Sequence, residues 1–249
     1  MPTTTDAWFA QWFDSPYYHL LYRHRDYAEA QFFMQNLIRA LPLTPEQAIL
    51  DLACGKGRHA IYLNAQGLSV TGLDLSPQNI AHARQHENDR LRFAVHDMRE
   101  QYCEGCFDVI LNLFTSFGYF DSASENLQAI RAAAAALRLG GLFLIDFLNP
   151  DRVLGRLVPE EVQVHEGVRF GIRRQIEEGY IVKTIAIEDG AEHLNFQERV
   201  RAITRDDFVN DFAAAGLAIQ ELWGDYQLQP FASQHSERLI VLGKKVAIA

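Results

Sequence analysis

Short apolar runs of strand length alternate with helical patterns along most of the first 150 residues. Five runs are predicted to be strands: AIL ending at Asp51, LSVTGLDL, LRFAV, FDVILNLF and LFLIDFL. Four helices are predicted around them, over residues 26–41, about 58–66, NIAHARQHE after Ser76-Pro77, and about 123–138. Strands and helices that alternate through short connections are typical of an open parallel sheet with helices on both faces. The predicted fold class is therefore α/β.

The chain changes character at Asp151. Short alternating segments separated by Gly or Asp-Gly predict an antiparallel β insertion over residues 151–203, after the fifth strand. A last helix, TRDDFVNDFAAAGL, and two strands around AIQELW and RLIVLGKK return to the α/β pattern. The insertion therefore interrupts a single domain of residues 1–249, whose first part, residues 1–45, is expected to form a helical cap.

Composition and charge exclude several classes of protein. The 249 residues are 48% hydrophobic and 22% charged, which is ordinary for a globular chain with one sizeable core. The formal net charge is −9 and no basic run concentrates positive charge, so nucleic acid is disfavoured as a partner. The N-terminus lacks the basic region of a signal peptide, and charges interrupt every apolar stretch, so a cytoplasmic protein without a membrane span is expected.

The cysteines give no metal site. Cys103 and Cys106 form C-E-G-C, a spacing seen in half of a zinc site or in a redox pair. Zinc needs two further ligands, and none stands at a matching spacing. We therefore expect incidental loop cysteines and no bound metal.

A glycine loop follows the first predicted strand. Residues 55–60, GKGRHA, fit the dinucleotide pattern G-x-G-x-x-G/A, although that match alone is weak. Asp51 stands at the strand end, where its carboxylate would repel a pyrophosphate by about 1 kcal/mol in water at about 4 Å. It suits a cationic ligand better. Asp74 ends the next strand, where a carboxylate accepts hydrogen bonds from ribose hydroxyls. The alternative for both residues is that they cap a helix or a turn.

A third carboxylate follows the third strand. Asp97 with Met98 offers an acceptor for an adenine amino group and an apolar neighbour for its ring, and the alternative is again a turn cap. One carboxylate each for a positive amino group, a ribose and an adenine describes S-adenosylmethionine rather than a dinucleotide.

The motifs ILDLACGKG, VTGLDLS, HDM, FDVILNLFTSFGYF and LRLGGLFLIDFLNP resemble the class I S-adenosylmethionine-dependent methyltransferases of the small-molecule type, from about Tyr17 to Lys245. The resemblance implies a Rossmann-like, seven-stranded, mainly parallel sheet whose last strand is antiparallel. It also implies S-adenosylmethionine as the cofactor. The residues implied to surround it are Asp51, the backbone of Ala53, Gly55 and Gly57, Asp74 with Leu75, Asp97 with Met98, and Asn112 with Leu113.

Two details accompany this resemblance. Many members carry glycine where this chain has Ala53, and alanine is tolerable there if its backbone keeps an ordinary φ. The stretch RHRDYAEAQFF resembles the N-terminal region of the glycine N-methyltransferases, in which an arginine meets the methionine carboxylate; Arg25 is the matching position. Tyr22 is a candidate for a cofactor lid, or belongs with Tyr18 to an i, i+4 core stripe.

Methyl transfer from a sulfonium is an in-line displacement, so alignment at near-attack distance is the main task of such an enzyme. Tyr119 follows the fourth strand, where the methyl donor should point, and is a candidate positioning residue; simple packing is the alternative. We expect the insertion to form a lid over the pocket of a small-molecule acceptor with a nitrogen or oxygen nucleophile. The alternatives are a methyltransferase acting on RNA or protein, an NAD-dependent oxidoreductase, and a non-catalytic nucleotide-binding protein.

Overall fold

Two β-sheets organise the protein, shown by a computed structural model that describes residues 12–13, 15–22 and 27–247. The strands are β1 Ala48–Leu52, β2 Ser69–Asp74, β3 Leu91–Val95, β4 Phe107–Asn112, β5 Leu137–Leu148, β6 Glu160–His165, β7 Val168–Glu177, β8 Tyr180–Asp189, β9 Glu192–Arg201, β10 Leu217–Trp223 and β11 Arg238–Lys245. The larger sheet has the order β10-β11-β5-β4-β1-β2-β3. Strands β1 to β5 run parallel, and β11 is antiparallel to both of its neighbours. The predicted seven-stranded α/β sheet is confirmed.

The described α-helices are α1 Pro16–Leu21, α2 Tyr27–Ala40, α3 Arg58–Ala65, α4 Pro77–Ala83, α5 Ala123–Ala136, α6 Pro150–Gly155 and α7 Arg205–Ala214. Helices α3, α4 and α5 connect parallel strands. The Ser76 side chain caps α4 by accepting from the N–H of Asn79, as its sequence predicts. Ser122 and Glu125 form a capping box at the start of α5. The predicted helix bounds are therefore close to those observed.

Buried side chains cover both faces of the larger sheet. Alternate residues of β1 point to opposite faces, so Ile49 packs in one cluster while Leu50 and Leu52 pack in the other. The Ile49 cluster includes side chains of α2, α3 and α4, and the other includes those of α5 and α7. This alternation places Asp51 on the side of α3.

The smaller sheet is the insertion, an antiparallel meander of β6 to β9 in sequence order. It begins at Glu160 rather than at residue 151, because Pro150 starts the short helix α6. Buried residues such as Phe170 and Ile185 on β7 and β8 pack against Leu21 of α1. The Tyr180 hydroxyl donates to the Asp121 carbonyl, which follows β4 in the chain. The insertion and α1 therefore stand beside the loop after β4.

The loop before β4 differs from its prediction. Cys103 and Cys106 were expected to be incidental thiols, but the structure joins them in a disulfide, with Cα atoms 6.2 Å apart. That separation lies within the usual range for such bonds. Among the described residues, no helix is long and apolar enough to cross a membrane.

Candidate functional site

A cavity of about 380 Å³ opens at the edge of the larger sheet where β4, β1 and β2 end. The connections from β1 and from β4 leave in opposite directions along the sheet, because β2 lies on one side of β1 while β4 and β5 lie on the other. Ligands of open α/β sheets bind at this kind of switch point. Loops after β1 to β4 and helix α1 form the wall of this cavity, called the strand-end cavity below.

The strand-end cavity is lined by nine of the candidate site residues that the sequence analysis named. They are Tyr22, Ala53, Gly55, Asp74, Leu75, Asp97, Met98, Leu113 and Tyr119. Three others, Asp51, Gly57 and Asn112, are not part of its wall as far as the structure describes the chain. Arg25 lies outside the described residues.

The glycine loop has left-handed backbone at three positions. Ala53 has φ 62°, so the condition of an ordinary φ at this alanine is not met. Cys54 next to it donates its N–H to the Leu73 carbonyl at 2.9 Å, which ties the turn to β2. At Gly57, a Cβ would stand 2.8 Å from the Phe93 ring, so this glycine is needed for packing. At Gly55 a Cβ would meet nothing within 4 Å, and the open space faces the cavity.

Asp51 binds the neighbouring helix and does not line the cavity. Its side chain is only 1% exposed, and Oδ2 accepts the N–H of Ala60, in the first turn of α3, at 3.1 Å. The first-turn N–H groups of a helix need such acceptors. Burial raises the pKa of Asp51 to about 7, against the opposing effect of the Ala60 hydrogen bond. Asp51 therefore caps α3, and its expected contact with a cationic ligand stays a prediction.

Asp74 both holds the glycine loop and faces the cavity. Its Oδ2 accepts the N–H of Gly55 at 2.8 Å, and its Oδ1 accepts the N–H of Ser76 at 2.9 Å. An ionised carboxylate offers about four acceptor positions, so both oxygens can also accept from a ligand. The capping alternative and the ligand role are thus compatible at this residue.

Asp97 also caps a turn while lining the cavity. Its Oδ1 accepts the Arg99 N–H at 2.9 Å, and the Arg99 guanidinium binds both carboxylate oxygens. Burial raises the pKa of Asp97, but the hydrogen bonds and charge of Arg99 outweigh burial and hold the pKa below its usual value. Asp97 is therefore an ionised acceptor at neutral pH.

Asn112 joins two strand ends behind the cavity. Its Nδ2 donates to the carbonyls of Leu52, at 3.0 Å, and Ser116, at 3.3 Å. Its Oδ1 is buried and finds no hydrogen-bond partner within the described part of the chain. Asn112 thus fixes the spacing of β1 and β4, and the next residue, Leu113, reaches the wall. The expectation that Asn112 contacts the cofactor stays a prediction.

The sequence reading missed several wall residues that neighbour its motifs. Examples are Cys54, Arg58, His59, Asn79, His96, Phe114 and Phe117. The rings of His59 and Phe114 stack with centroids 4.9 Å apart, and the Arg58 guanidinium stands 4.7 Å from the Phe114 centroid. Burial, followed by the charge of Arg58, lowers the pKa of His59 to about 3, so this imidazole is neutral. The signal available in sequence was the aromatic stretch FTSFGYF after β4.

The tyrosines of α1 both pack and line the cavity. Tyr18 and Tyr22 have ring centroids 4.9 Å apart and both belong to the wall. The Tyr22 hydroxyl donates to Glu198 of β9 at 2.7 Å. The packing alternative for this stripe is observed, and the lid role of Tyr22 stays a prediction.

A second cavity of about 320 Å³, the insertion cavity, lies between the ends of β4 and β5 and the β6–β9 sheet. Four aromatic residues line both cavities: Phe13, Tyr18, Tyr22 and Tyr119. The Tyr119 ring meets that of Phe13 edge-on at 5.3 Å, and its hydroxyl donates to the Thr115 carbonyl. Tyr119 thus stands at the junction of the two cavities.

The strand-end cavity fits an adenosyl cofactor. It combines a loop with open space at Gly55, the Asp74 and Asp97 carboxylates, and apolar side chains at Leu75 and Met98. Carboxylates suit ribose hydroxyls and an adenine amino group, and apolar side chains suit the faces of the base.

Comparisons with known proteins agree with this chemistry. A family model described as a methyltransferase domain matches residues 49–141. The dTDP-3-amino-3,4,6-trideoxy-alpha-D-glucopyranose N,N-dimethyltransferase of Streptomyces venezuelae is 27% identical over 222 residues, which cover 83% of this chain and 91% of that enzyme. Glycine N-methyltransferase of Homo sapiens is 32% identical over 126 residues, 43% of each chain.

The fold is also that of known methyltransferases. The crystal structure of an S-adenosylmethionine-dependent methyltransferase from Clostridium acetobutylicum ATCC 824 superposes with a TM-score of 0.78 at 21% identity. The match covers 93% of this chain and 97% of the other. This chain is therefore an S-adenosylmethionine-dependent methyltransferase with the class I fold, and S-adenosylmethionine is its methyl donor.

Proposed function

We propose that this enzyme methylates the nitrogen of a small molecule held in the insertion cavity. The observation that carries the proposal is that the two cavities meet at Tyr119 and share three further aromatic residues. A donor in the strand-end cavity and an acceptor in the insertion cavity would face each other across this junction. Bringing two reactants into line is the main source of rate in such a displacement.

The cofactor site rests on the residues of the strand-end cavity. Asp74 would accept from the ribose, Asp97 from the adenine amino group, and the Gly55 backbone would approach the cofactor closely. Leu75, Met98 and Leu113 would contact the base. Asp51, Gly57 and Asn112 would support this wall from behind, through the contacts described above.

The transfer itself needs little from the protein beyond alignment. When bound, S-adenosylmethionine would supply a sulfonium methyl group for in-line transfer to the acceptor nitrogen, with the electron pair of the broken carbon–sulfur bond returning to sulfur. The acceptor must present an unprotonated nitrogen and releases a proton to solvent afterwards. Aromatic faces such as that of Tyr119 attract a cationic sulfonium methyl group.

Nitrogen is favoured over oxygen by the relatives. The names of the Streptomyces venezuelae enzyme and of the human enzyme both describe methylation of a nitrogen in a small molecule. RNA is disfavoured because the chain carries a net charge of −9, and a macromolecule would have to enter a cavity covered by the insertion and α1. The oxidoreductase alternative is excluded by the family.

A thermal-shift series tests the cofactor site. S-Adenosylmethionine and S-adenosylhomocysteine should each raise the melting midpoint, whereas NAD and NADP should not. A ligand at roughly 100 times its Kd adds about 2.7 kcal/mol of stability, which is easily measured. Asp74→Ala should weaken the binding of both adenosyl ligands by roughly tenfold or more, because a charge-assisted hydrogen bond is lost.

Asp89→Ala is the matched control, since Asp89 is an exposed carboxylate in the loop before β3. It should leave both ligand shifts unchanged. Equal shifts for Asp74→Ala and the wild type would contradict the assignment of Asp74 to the cofactor.

A further inference from the structure

Four charged side chains form a row across the inner face of the insertion sheet, the face that lines the insertion cavity. In order they are Glu161 on β6, Arg174 on β7, Lys183 on β8 and Glu198 on β9. Their side chains are 30%, 22%, 12% and 14% exposed. Charges are uncommon at such partly buried positions, so the row calls for a physical reason.

The row places two cations side by side. Arg174 is directly opposite Lys183 in the antiparallel pairing of β7 and β8. Side chains directly opposite in an antiparallel sheet are close neighbours, and like charges there are destabilising. On the outer face of the same sheet, unlike charges are paired instead. Arg173 is opposite Glu160 and Arg169 is opposite Glu188, with 2.8 Å between nitrogen and oxygen in each pair.

Carboxylates hold the two ends of the row. Glu161 accepts from Arg174, and Glu198 stands 3.6 Å from the Lys183 ammonium. The Val158 carbonyl also accepts from Arg174, at 3.3 Å. A guanidinium has five N–H donors, so these two contacts leave it able to bind a further acceptor. The middle of the row is therefore the place where an added negative charge would be stabilised.

The wall of the insertion cavity has more cations than carboxylates although the chain is acidic. Among the described residues, the wall has three cations, Arg174, Lys183 and Arg238, and one carboxylate, Glu198. The whole chain has a net charge of −9. Each of these cations has a carboxylate partner, Glu161, Glu198 or Asp146, but only Glu198 of the three carboxylates is part of the wall.

We propose that Arg174 and Lys183 form an anion subsite that binds a carboxylate or phosphate group of the methyl acceptor. The inference rests on the proposed function and names its substrate class: a small amine that also carries an anionic group. The anion lies between the two cations, and the amine reaches toward Tyr119. Arg174 and Lys183 are specificity-determining residues and take no part in the displacement itself.

The first experiment measures anion binding in the absence of methyl transfer. Wild-type protein saturated with S-adenosylhomocysteine is titrated with inorganic phosphate, pyrophosphate and acetate, followed by NMR of the added anion. Saturable binding is expected, and Arg174→Gln and Lys183→Gln should each weaken it by about tenfold or more, the size of a lost charge-assisted hydrogen bond. Arg173→Gln is the matched control: it removes a cation from the next position of β7 but on the outer face, and should change nothing.

Turnover then separates the two sources of the anion. D-Glucosamine, D-glucosamine 6-phosphate and D-glucosaminic acid share an amine but differ in charge. Transfer to the phosphate or to the carboxylate compound, with a KM that rises in Arg174→Gln while kcat changes little, supports the subsite and identifies its anion. Partial recovery of the KM in Arg174→Lys would support a role in charge recognition.

Each contrary result has one meaning. Anion binding that is absent in the wild type, or that persists in both variants, overturns the subsite even if methyl transfer occurs. Equal KM values for the neutral and anionic amines do the same. Failure of S-adenosylhomocysteine to bind would instead contradict the proposed cofactor site, so the two proposals fail separately.

Discussion

Each carboxylate that ends a strand at the candidate site binds backbone N–H groups of its own neighbourhood. Asp51 binds the N–H of Ala60, Asp74 those of Gly55 and Ser76, and Asp97 that of Arg99. Two roles, backbone capping and ligand binding, can therefore account for a charged side chain at a strand end. Exposure separates the two explanations, because Asp74 and Asp97 line the cavity whereas Asp51 does not.

The burial of Asp51 makes stability depend on pH. Its pKa is about 7 in the folded protein, above the ordinary value of 3.8, so the folded state keeps a proton that the unfolded chain has lost. The stability from this group is present below about pH 4 and is lost as pH rises to about 7. A pKa shift of this size corresponds to a change of about 4 kcal/mol in the free energy of unfolding.

Asp51→Asn should remove this dependence, because asparagine keeps an acceptor for the Ala60 N–H but does not ionise. Urea unfolding of both proteins from pH 4 to pH 8 is the measurement. We expect the wild type to lose stability relative to Asp51→Asn across this range. A difference between the two that does not change with pH would contradict the pKa of Asp51.

At the scale of elements, the insertion sheet has two unlike faces. Its outer face exposes Val162 and Val164, at 55% and 65%, and carries cross-strand ion pairs. Its inner face buries Phe170 and Ile185 against α1 at one end and presents the charged row at the other. The insertion therefore has a small core shared with α1, and Val200 of β9 joins it to the cluster that contains α5 and α7.

Phe170→Ala should destabilise the insertion sheet. Removing a buried phenylalanine costs about 3–5 kcal/mol, and about 3 kcal/mol raises the open population roughly a hundredfold. Limited proteolysis should cut within residues 160–201 faster by that factor, since cleavage follows the open population.

Val164→Ala on the outer face is the control for Phe170→Ala, and its cleavage rate should match that of the wild type. First cleavage of Phe170→Ala within the larger sheet would show that the insertion does not open on its own.

At the scale of the whole molecule, one buried ion pair joins segments distant in the chain. Asp146 of β5 is fully buried and binds Arg238 of β11 at 2.8 Å. Its other oxygen accepts the Phe114 N–H at 2.8 Å and the Tyr226 hydroxyl at 3.2 Å. Arg238 also donates to the Thr115 hydroxyl at 2.8 Å. The pair thus holds the loop after β4, which contributes to both cavities.

Arg238→Met should destabilise the fold by about 3–5 kcal/mol, because it leaves the Asp146 carboxylate buried without its cation. Guanidinium unfolding measures the change. The double variant Arg238→Met with Asp146→Leu should recover part of the loss, since no buried charge remains.

Arg169→Gln is the control for an exposed pair, because Arg169 and its partner Glu188 are 47% and 45% exposed. It should cost about 1 kcal/mol or less. A loss of similar size for Arg238→Met would show that burial adds nothing to the Asp146 pair.

The sequence alone determined the order of strands and helices, the switch-point edge and the cofactor. Local patterns suffice for these, because apolar period, helix caps and glycine turns act over a few neighbouring residues. The sequence did not determine which strand-end side chains reach the cavity. Tertiary structure decided that, since the pleat of β1 and the position of α3 turn Asp51 away from the cavity.

The charged row on the insertion sheet could not be predicted from local sequence patterns either. Arg174, Lys183 and Glu198 are separated in the chain, and only the register of β7, β8 and β9 sets them side by side. A shift of one residue in that register would move each side chain to the opposite face of the sheet. Long-range pairing depends on contacts that no local pattern encodes. The wall of the insertion cavity is therefore decided by the tertiary structure, whereas the cofactor motifs can be read from the sequence.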